Sequence, residues 1–122
     1  QDNVFLCRIH GLTLCGVADG HGQNGHWASS WVVEFVLYLW ITKVSVNAKL
    51  PDDNTIRWIF NLTHEALMLR AGSNDVDLSE SGSTLTLCVL DHSQEMAVTA
   101  WVGDSRCVRG HGSELIAESL SD

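Results

Sequence analysis

Polar and apolar positions along the chain fall into stretches of different period. Val4–Ile9 and Leu12–Ala18 are short runs rich in branched and apolar residues, joined by His10-Gly11. Two such runs around a two-residue turn predict a β-hairpin. Asp19–Gly25 reads as a glycine-rich turn. From His26 to about Val44 the pattern becomes helical, because Trp27, Trp31, Phe35 and Leu39 recur every four residues beside Ala28, Val32, Val36 and Trp40. Ser30, Glu34, Tyr38 and Thr42 form a narrower, less apolar stripe, so this helix is expected to be covered on most sides. Pro51 marks a loop, and Asp53 or Asn54 is placed to cap a second helix whose Ile56, Ile59, Phe60, Thr63 and Leu67 share one face. That helix is expected to end near Arg70, with Gly72 as its stop signal, before a polar loop over Ala71–Ser81.

The period then drops to two. Ser83–Leu90 and Met96–Val102 read as strands around a polar turn at Asp91–Gln94; Arg106–Arg109 reads as a third, and Glu114–Ala117 as one more. Strands, two helices, then strands returning as hairpins predict an α+β fold: antiparallel sheets with helices packed outside. The 122 residues suit one small domain with a modest core. The sequence stops at Ser121-Asp122 with no polar tail after the last expected strand, which would leave a sheet edge unpaired, so residues 1–122 are expected to be a truncated domain.

Composition narrows the function classes. The formal charge is −8 with seven basic residues and no basic cluster, so there is no electrostatic footprint for nucleic acid or an anionic membrane. The most apolar stretch, Val32–Ile41, is interrupted by Glu34 and is too short for the about 20 residues of a membrane span. No membrane insertion is expected, and the five tryptophans are assigned to the core. Cys7, Cys15, Cys88 and Cys107 show neither zinc-knuckle nor redox-pair spacing. Three lie in apolar strand-like runs, and buried reduced thiols imply an intracellular chain, cytoplasmic or nuclear. His64-Glu65 begins like a zinc-protease motif, but Met68 stands at the second histidine position. His10, His92 and His111 fall at turns and are expected to be solvated.

Two chemistries compete for Gly20-His21-Gly22-Gln23-Asn24-Gly25, which has the G-x-G-x-x-G spacing between a strand and a helix. A dinucleotide's pyrophosphate would meet the carboxylate of Asp19. Two unit charges about 4 Å apart near a surface repel by roughly 4 kcal/mol, more than the ~1 kcal/mol a helix N-terminus returns. The same carboxylate suits a hard cation such as magnesium or manganese, with glycines freeing nearby carbonyls. An ordinary Asp-Gly turn beside a surface histidine stands as the plain alternative.

Val17-Ala18-Asp19-Gly20-His21-Gly22 resembles the V-x-D-G-H-G signature of PP2C-type serine/threonine protein phosphatases. Ser81-Gly82-Ser83-Thr84 resembles the family's S-G-S-T, and Val102-Gly103-Asp104-Ser105-Arg106 its A-N-x-G-D-S-R element. Glu114-Leu115 and Leu120-Ser121-Asp122 resemble the stretch leading into L-T-x-D-H, and Asp2 falls at an acidic position of a short N-terminal motif. The motifs keep the family's order over essentially the whole chain. The resemblance implies an α-β-β-α sandwich of antiparallel sheets, of which the N-terminal half is present, with both long helices on one outer face. It further implies hydrolysis of phosphoserine and phosphothreonine in phosphorylated proteins by a water activated on two Mn2+ or Mg2+ ions. Asp19 matches the bridging metal ligand, Gly20 the residue offering its carbonyl to an ion, and His21 the general acid. Asp104 matches an additional metal position, and Asp2 an acid that takes part at the metal directly or through a water. Gln1 stands where many members carry glutamate, and Trp101 replaces a common asparagine. The phosphate-gripping arginine would lie before Gln1 and two late aspartates beyond Asp122, so the chain alone is not expected to turn over substrate. A non-catalytic PP2C-like binding or regulatory module, and more remotely a dinucleotide-binding oxidoreductase, are the rival readings.

Overall fold

A computed structural model of the chain describes residues 1–111 and the backbone of 116–119. The elements are β1 (Asp2–Ile9), β2 (Leu12–His21), α1 (Gly25–Leu39), α2 (Asp53–Ser73), β3 (Gly82–Ser83), β4 (Leu85–Asp91), β5 (Met96–Val102), β6 (Val108–His111) and β7 (Ile116–Ser119). The main sheet runs β1-β2-β4-β5, with short β3 paired to the end of β2, and β6-β7 form a separate ribbon. Every described pairing is antiparallel, which makes the class α+β.

The β1–β2 hairpin turns on His10 (φ 55) and Gly11 (φ 77), the paired positive angles that a two-residue turn requires. The turn fixes the register from Ile9↔Leu12 to Asp2↔Asp19. At the β4–β5 turn, Asp91 Oδ1 accepts from Ser93 N (3.0 Å), Ser93 Oγ (2.8 Å) and Gln94 N (3.3 Å), holding the Asp91 carboxyl below its ordinary pKa.

Alternation decides what each sheet face does. Phe5, Leu12, Leu14, Ala18, Leu85, Leu87 and Val89 point to one side, where Val32, Val36, Leu39 and Trp40 from α1 and its continuation meet Ile59 and Leu67 of α2. Both helices therefore cover the same face. The opposite face carries Val4 and Leu6 (73% and 74% exposed) with Cys15, Val17, Cys88 and Trp101. One sheet with helices on a single side is one helix-plus-sheet half of a layered sandwich.

Several boundaries differ from expectation. The glycine-rich turn is shorter than Asp19–Gly25, because β2 continues to His21 by pairing with Asp2 on one edge and Gly82 on the other. Asp52, not Asp53 or Asn54, caps α2: its Oδ1 accepts from Thr55 N at 2.8 Å. The helix passes through Gly72 to Ser73, and Asn74 closes it by donating from N and Nδ2 to Arg70 O. The strand expected over Ser83–Leu90 breaks at Thr84 into β3 and β4, and β6 begins at Val108 rather than Arg106. Glu114 and Leu115 of the last expected strand lie outside the described residues, as do Leu120–Asp122. Trp40 is core (1% exposed), but Trp58 and Trp101 are exposed. The solvated histidine His92 also bonds Thr13 Oγ1 at 2.7 Å.

Helix α1 runs on through a π-turn (Trp40–Val44) and a 3-10 turn (Ser45–Asn47). Gly25–Asn47 is thereby a 23-residue helical run, long and apolar enough by itself to cross a membrane, unlike the ten residues visible as an apolar block. Its apolarity has a use within the fold: Ala28, Val32, Val36, Leu39 and Trp40 are buried against the sheet and α2.

Candidate functional site

The end of β2 assembles the candidate residues. Strand alternation puts Asp19 and His21 on one face and Gly20 on the other. The hairpin register sets Asp2 directly opposite Asp19, so both carboxylates stand on the exposed side, away from the helices. The His21 ring lies over Gly82, its backbone partner in β3. Asp104 sits in the turn after β5, close enough for its charge to act on Asp19.

Thr84, at the break between β3 and β4, ties these pieces together. Its backbone N donates to Asp19 O at 2.9 Å, and its Oγ1 accepts from Asp19 N at 3.0 Å. The same hydroxyl meets Ser105 Oγ at 2.9 Å. One side chain thus links the strand bearing Asp19 to the loop bearing Asp104. The S-G-S-T resemblance marked Thr84 without showing this bridging role, and Ser105 was only part of a motif. A hydroxyl residue interrupting an apolar alternation, next to two glycine-containing acidic turns, is the signal that singles it out.

Gly20 is buried because the start of α1 rests on it. A Cβ at Gly20 would lie 2.1 Å from Gly25 O and 2.5 Å from Gly25 C. Gln1 closes the same corner. Its backbone O accepts from Gly20 N at 3.1 Å, and its side-chain amide, turned to donate, reaches Gly20 O and Gly22 O at 3.2 Å each. The carbonyl assigned to an ion therefore already accepts from Gln1, leaving one lone pair on that oxygen. The sequence shows Gln1 only as standing where many members carry glutamate; its amide role depends on contacts that become visible only in three dimensions.

The electrostatics follow from these distances. The Asp19 carboxyl is held above its ordinary range, first by its hydrogen bond with the Asp2 carboxyl, then by the Asp2 charge, with Asp104 adding further repulsion. Two carboxyls in such contact share a proton or a cation, because both cannot carry bare charge side by side. Hard, exposed oxygen donors of this kind fit a divalent ion such as Mg2+ or Mn2+. Among the described residues, no group of three or more His, Cys, Asp or Glu side chains is close enough to hold a metal ion. The donor set thus fits one edge of a cation site, supplied by Asp2 and Asp19, with Asp104 acting from a distance. For the dinucleotide reading, the G-x-G-x-x-G turn lacks a parallel βαβ setting, since β2 has antiparallel neighbours on both sides.

Comparison with known proteins agrees with the motifs and with the fold. An Arabidopsis thaliana protein named "Probable protein phosphatase 2C 72" is 30% identical over 126 residues, which cover 93% of this chain. The match takes in 36% of that protein, so the chain spans about a third of its relative's length. A family model described as protein phosphatase 2C matches residues 1–121. With its motif-bearing turns gathered around Asp19 on one antiparallel sheet, the chain belongs to the protein phosphatase 2C family.

Proposed function

We propose that this chain supplies the Asp19 corner of a protein serine/threonine phosphatase centre, working within a larger domain on phosphoserine and phosphothreonine in proteins. The observation that carries the reading is the carboxyl pair Asp2–Asp19, set by hairpin register, with the Asp19 carboxyl held above its ordinary pKa by its hydrogen bond with Asp2 and by the Asp2 charge. Asp19 and Asp2 would hold a divalent ion, Mn2+ or Mg2+, with Gly20 O beside them and Asp104 at a neighbouring position. When bound, such ions lower the pKa of a coordinated water and neutralise charge on phosphoryl oxygens. His21, on the same strand face as Asp19, is positioned to hold the proton that the departing serine or threonine oxygen requires. Thr84 and Ser105 keep the Asp19 strand and the Asp104 loop in register. The exposed face with Val4, Leu6 and Trp101 is where the second sheet of the sandwich would pack, and the remaining acidic ligands and a phosphate-gripping arginine would come from the rest of that domain. An intracellular site of action suits four reduced thiols.

The test is a chimera in which residues 1–121 replace the matching segment of the Arabidopsis relative. Manganese-dependent hydrolysis of a phosphothreonine peptide is expected, with Asp19→Asn abolishing it. Near-normal hydrolysis by the Asp19→Asn chimera would remove the main support for this reading. A second reading is a PP2C-like binding or regulatory module, in which the Asp2–Asp19 pair shares a proton rather than a cation. That reading predicts a folded chimera that binds phosphopeptide without manganese-dependent turnover.

A further inference from the structure

A hydroxyl on α1 reaches the start of β1 from behind. Ser29 is fully buried (0% exposed) on the helix face that also carries Ala28, Val32 and Val36. Its Oγ accepts from Asn3 Nδ2 at 2.8 Å and donates to Gln1 O at 2.7 Å, with His26 O the more distant alternative at 3.3 Å. Asn3 Nδ2 also reaches Ser30 Oγ at 3.3 Å. One side chain thus hydrogen-bonds the residues on both sides of Asp2, 28 and 26 positions away in sequence. Asn3 and Phe5 face the helices, whereas Asp2 and Val4 face the other way, so Ser29 holds the strand from the side away from the Asp2 carboxyl.

We infer that Ser29 is a positioning residue for the cation edge: through Gln1 and Asn3 it fixes the end of β1 so that Asp2 stays beside Asp19. This role rests on the reading of Asp2 and Asp19 as donors to one divalent ion.

The strand's place in the sheet creates the need for such a hold. Among the described residues β1 is paired to β2 alone, and Asp2 stands at its first position. Strand ends of this kind open at little free-energy cost. Like charges directly opposite each other on paired strands repel, which favours that opening at Asp2 and Asp19. Two bonds to one oxygen oppose it: Gly20 N donates to Gln1 O at 3.1 Å, and the Ser29 hydroxyl donates to the same atom. Both lone pairs of Gln1 O are thereby used, one toward β2 and one toward α1. Truncating Ser29 leaves Gln1 O with its strand partner and deprives the Asn3 amide of its nearer acceptor. The end of β1 is then free to part from β2, and Asp2 from Asp19.

Mn2+ added to the full chain is the probe, with amide NMR reporting where it settles and metal-free hydrogen exchange reporting whether the end of β1 is closed. In Ser29→Ala the Mn2+ concentration for half-maximal broadening at Asp19 is expected to rise about 10-fold, the lower end for groups that orient a ligand without touching the ion. The Gly20 amide, bonded to Gln1 O, should exchange several-fold faster, while the Thr84 amide, bonded to Asp19 O, keeps its protection. Ser45→Ala is the control. It also removes a fully buried serine hydroxyl, bonded to Ile41 O, about 24 Å further along the same helical run. It should lower Tm yet shift the Mn2+ midpoint by less than ~2-fold, as for independent sites. Asn3→Leu, which keeps Ser29, should weaken Mn2+ binding in the same direction, and the double variant should lose less than the two single effects combined, since both act through one link. An unchanged Mn2+ midpoint or unchanged Gly20 exchange in Ser29→Ala, or an equal shift in Ser45→Ala, would overturn the assignment. Wild-type broadening away from Asp2 and Asp19 would overturn the cation reading and this role with it; Gly20 exchange, read without metal, tells the two failures apart.

Discussion

Replacing Gly20 with alanine tests whether the Asp19 corner is built by close backbone packing. The added methyl would sit 2.1 Å from Gly25 O and 2.5 Å from Gly25 C, with Gln1 O a further 3.1 Å away. All of these are backbone atoms, so no side chain can rotate aside. Restoring ordinary contact requires β2 and the start of α1 to separate by about 1 Å, which in a close-packed interior costs on the order of 1–3 kcal/mol. For a chain of this size that corresponds to roughly 4–12 °C in Tm. Gly72→Ala is the control. It lies inside α2 with nothing within 4 Å of the new methyl, so the gain in helix propensity should add about 0.5–1 kcal/mol. Urea titration followed by tryptophan fluorescence reads both, Trp40 reporting from the core. A Gly20→Ala chain as stable as wild type, or a Gly72→Ala chain equally destabilised, would refute the packing argument.

Asp19→Asn should stabilise the metal-free chain near neutral pH while removing its stabilisation by Mn2+. A carboxyl whose folded pKa is raised favours folding at low pH and loses that contribution as pH climbs from its unfolded value through the raised one. Thermal melts from acid to neutral pH, with and without Mn2+, check both effects. Asp52→Ala should lower Tm near neutral pH by removing the α2 cap. Asp52 is held below its ordinary pKa by Thr55, so its contribution is present above the unfolded value and lost as pH falls through the folded one; the variant's deficit should shrink in acid. Thr84→Val keeps the shape but leaves Asp19 N without its acceptor and Ser105 without its partner. It should cost about 1–3 kcal/mol in a urea titration, with Thr84→Ser recovering most of it.

Hydrophobic period located the β1–β2 hairpin and α1 because those elements are local and strongly patterned. The Asp2–Asp19 pairing was also within reach: once His10-Gly11 is the two-residue turn, counting back equally from Ile9 and Leu12 brings the aspartates opposite each other. Other features depend on partners distant in the chain. β2 reaches His21 only because Gly82 pairs with it, and the turn could not be trimmed without knowing that partner. Trp58 and Trp101 were misassigned since apolar character says nothing about whether another layer covers the face they occupy. Spacing rules missed the Cys15–Cys88 pairing for the same reason, as the two meet only through strand register. The Asp52 cap lay a single residue from the expected position, a distance that only backbone geometry resolves.

Where a divalent cation settles on the chain is the most direct test of the account. Amide NMR spectra recorded during Mn2+ titration should broaden first at Asp2, Asp19, Gly20 and Asp104, with Asp53 and Glu65 unaffected, and Asp19→Asn should erase that pattern. Broadening that begins on the acidic residues of α2, or that survives intact in Asp19→Asn, would contradict a cation site built on the end of β2.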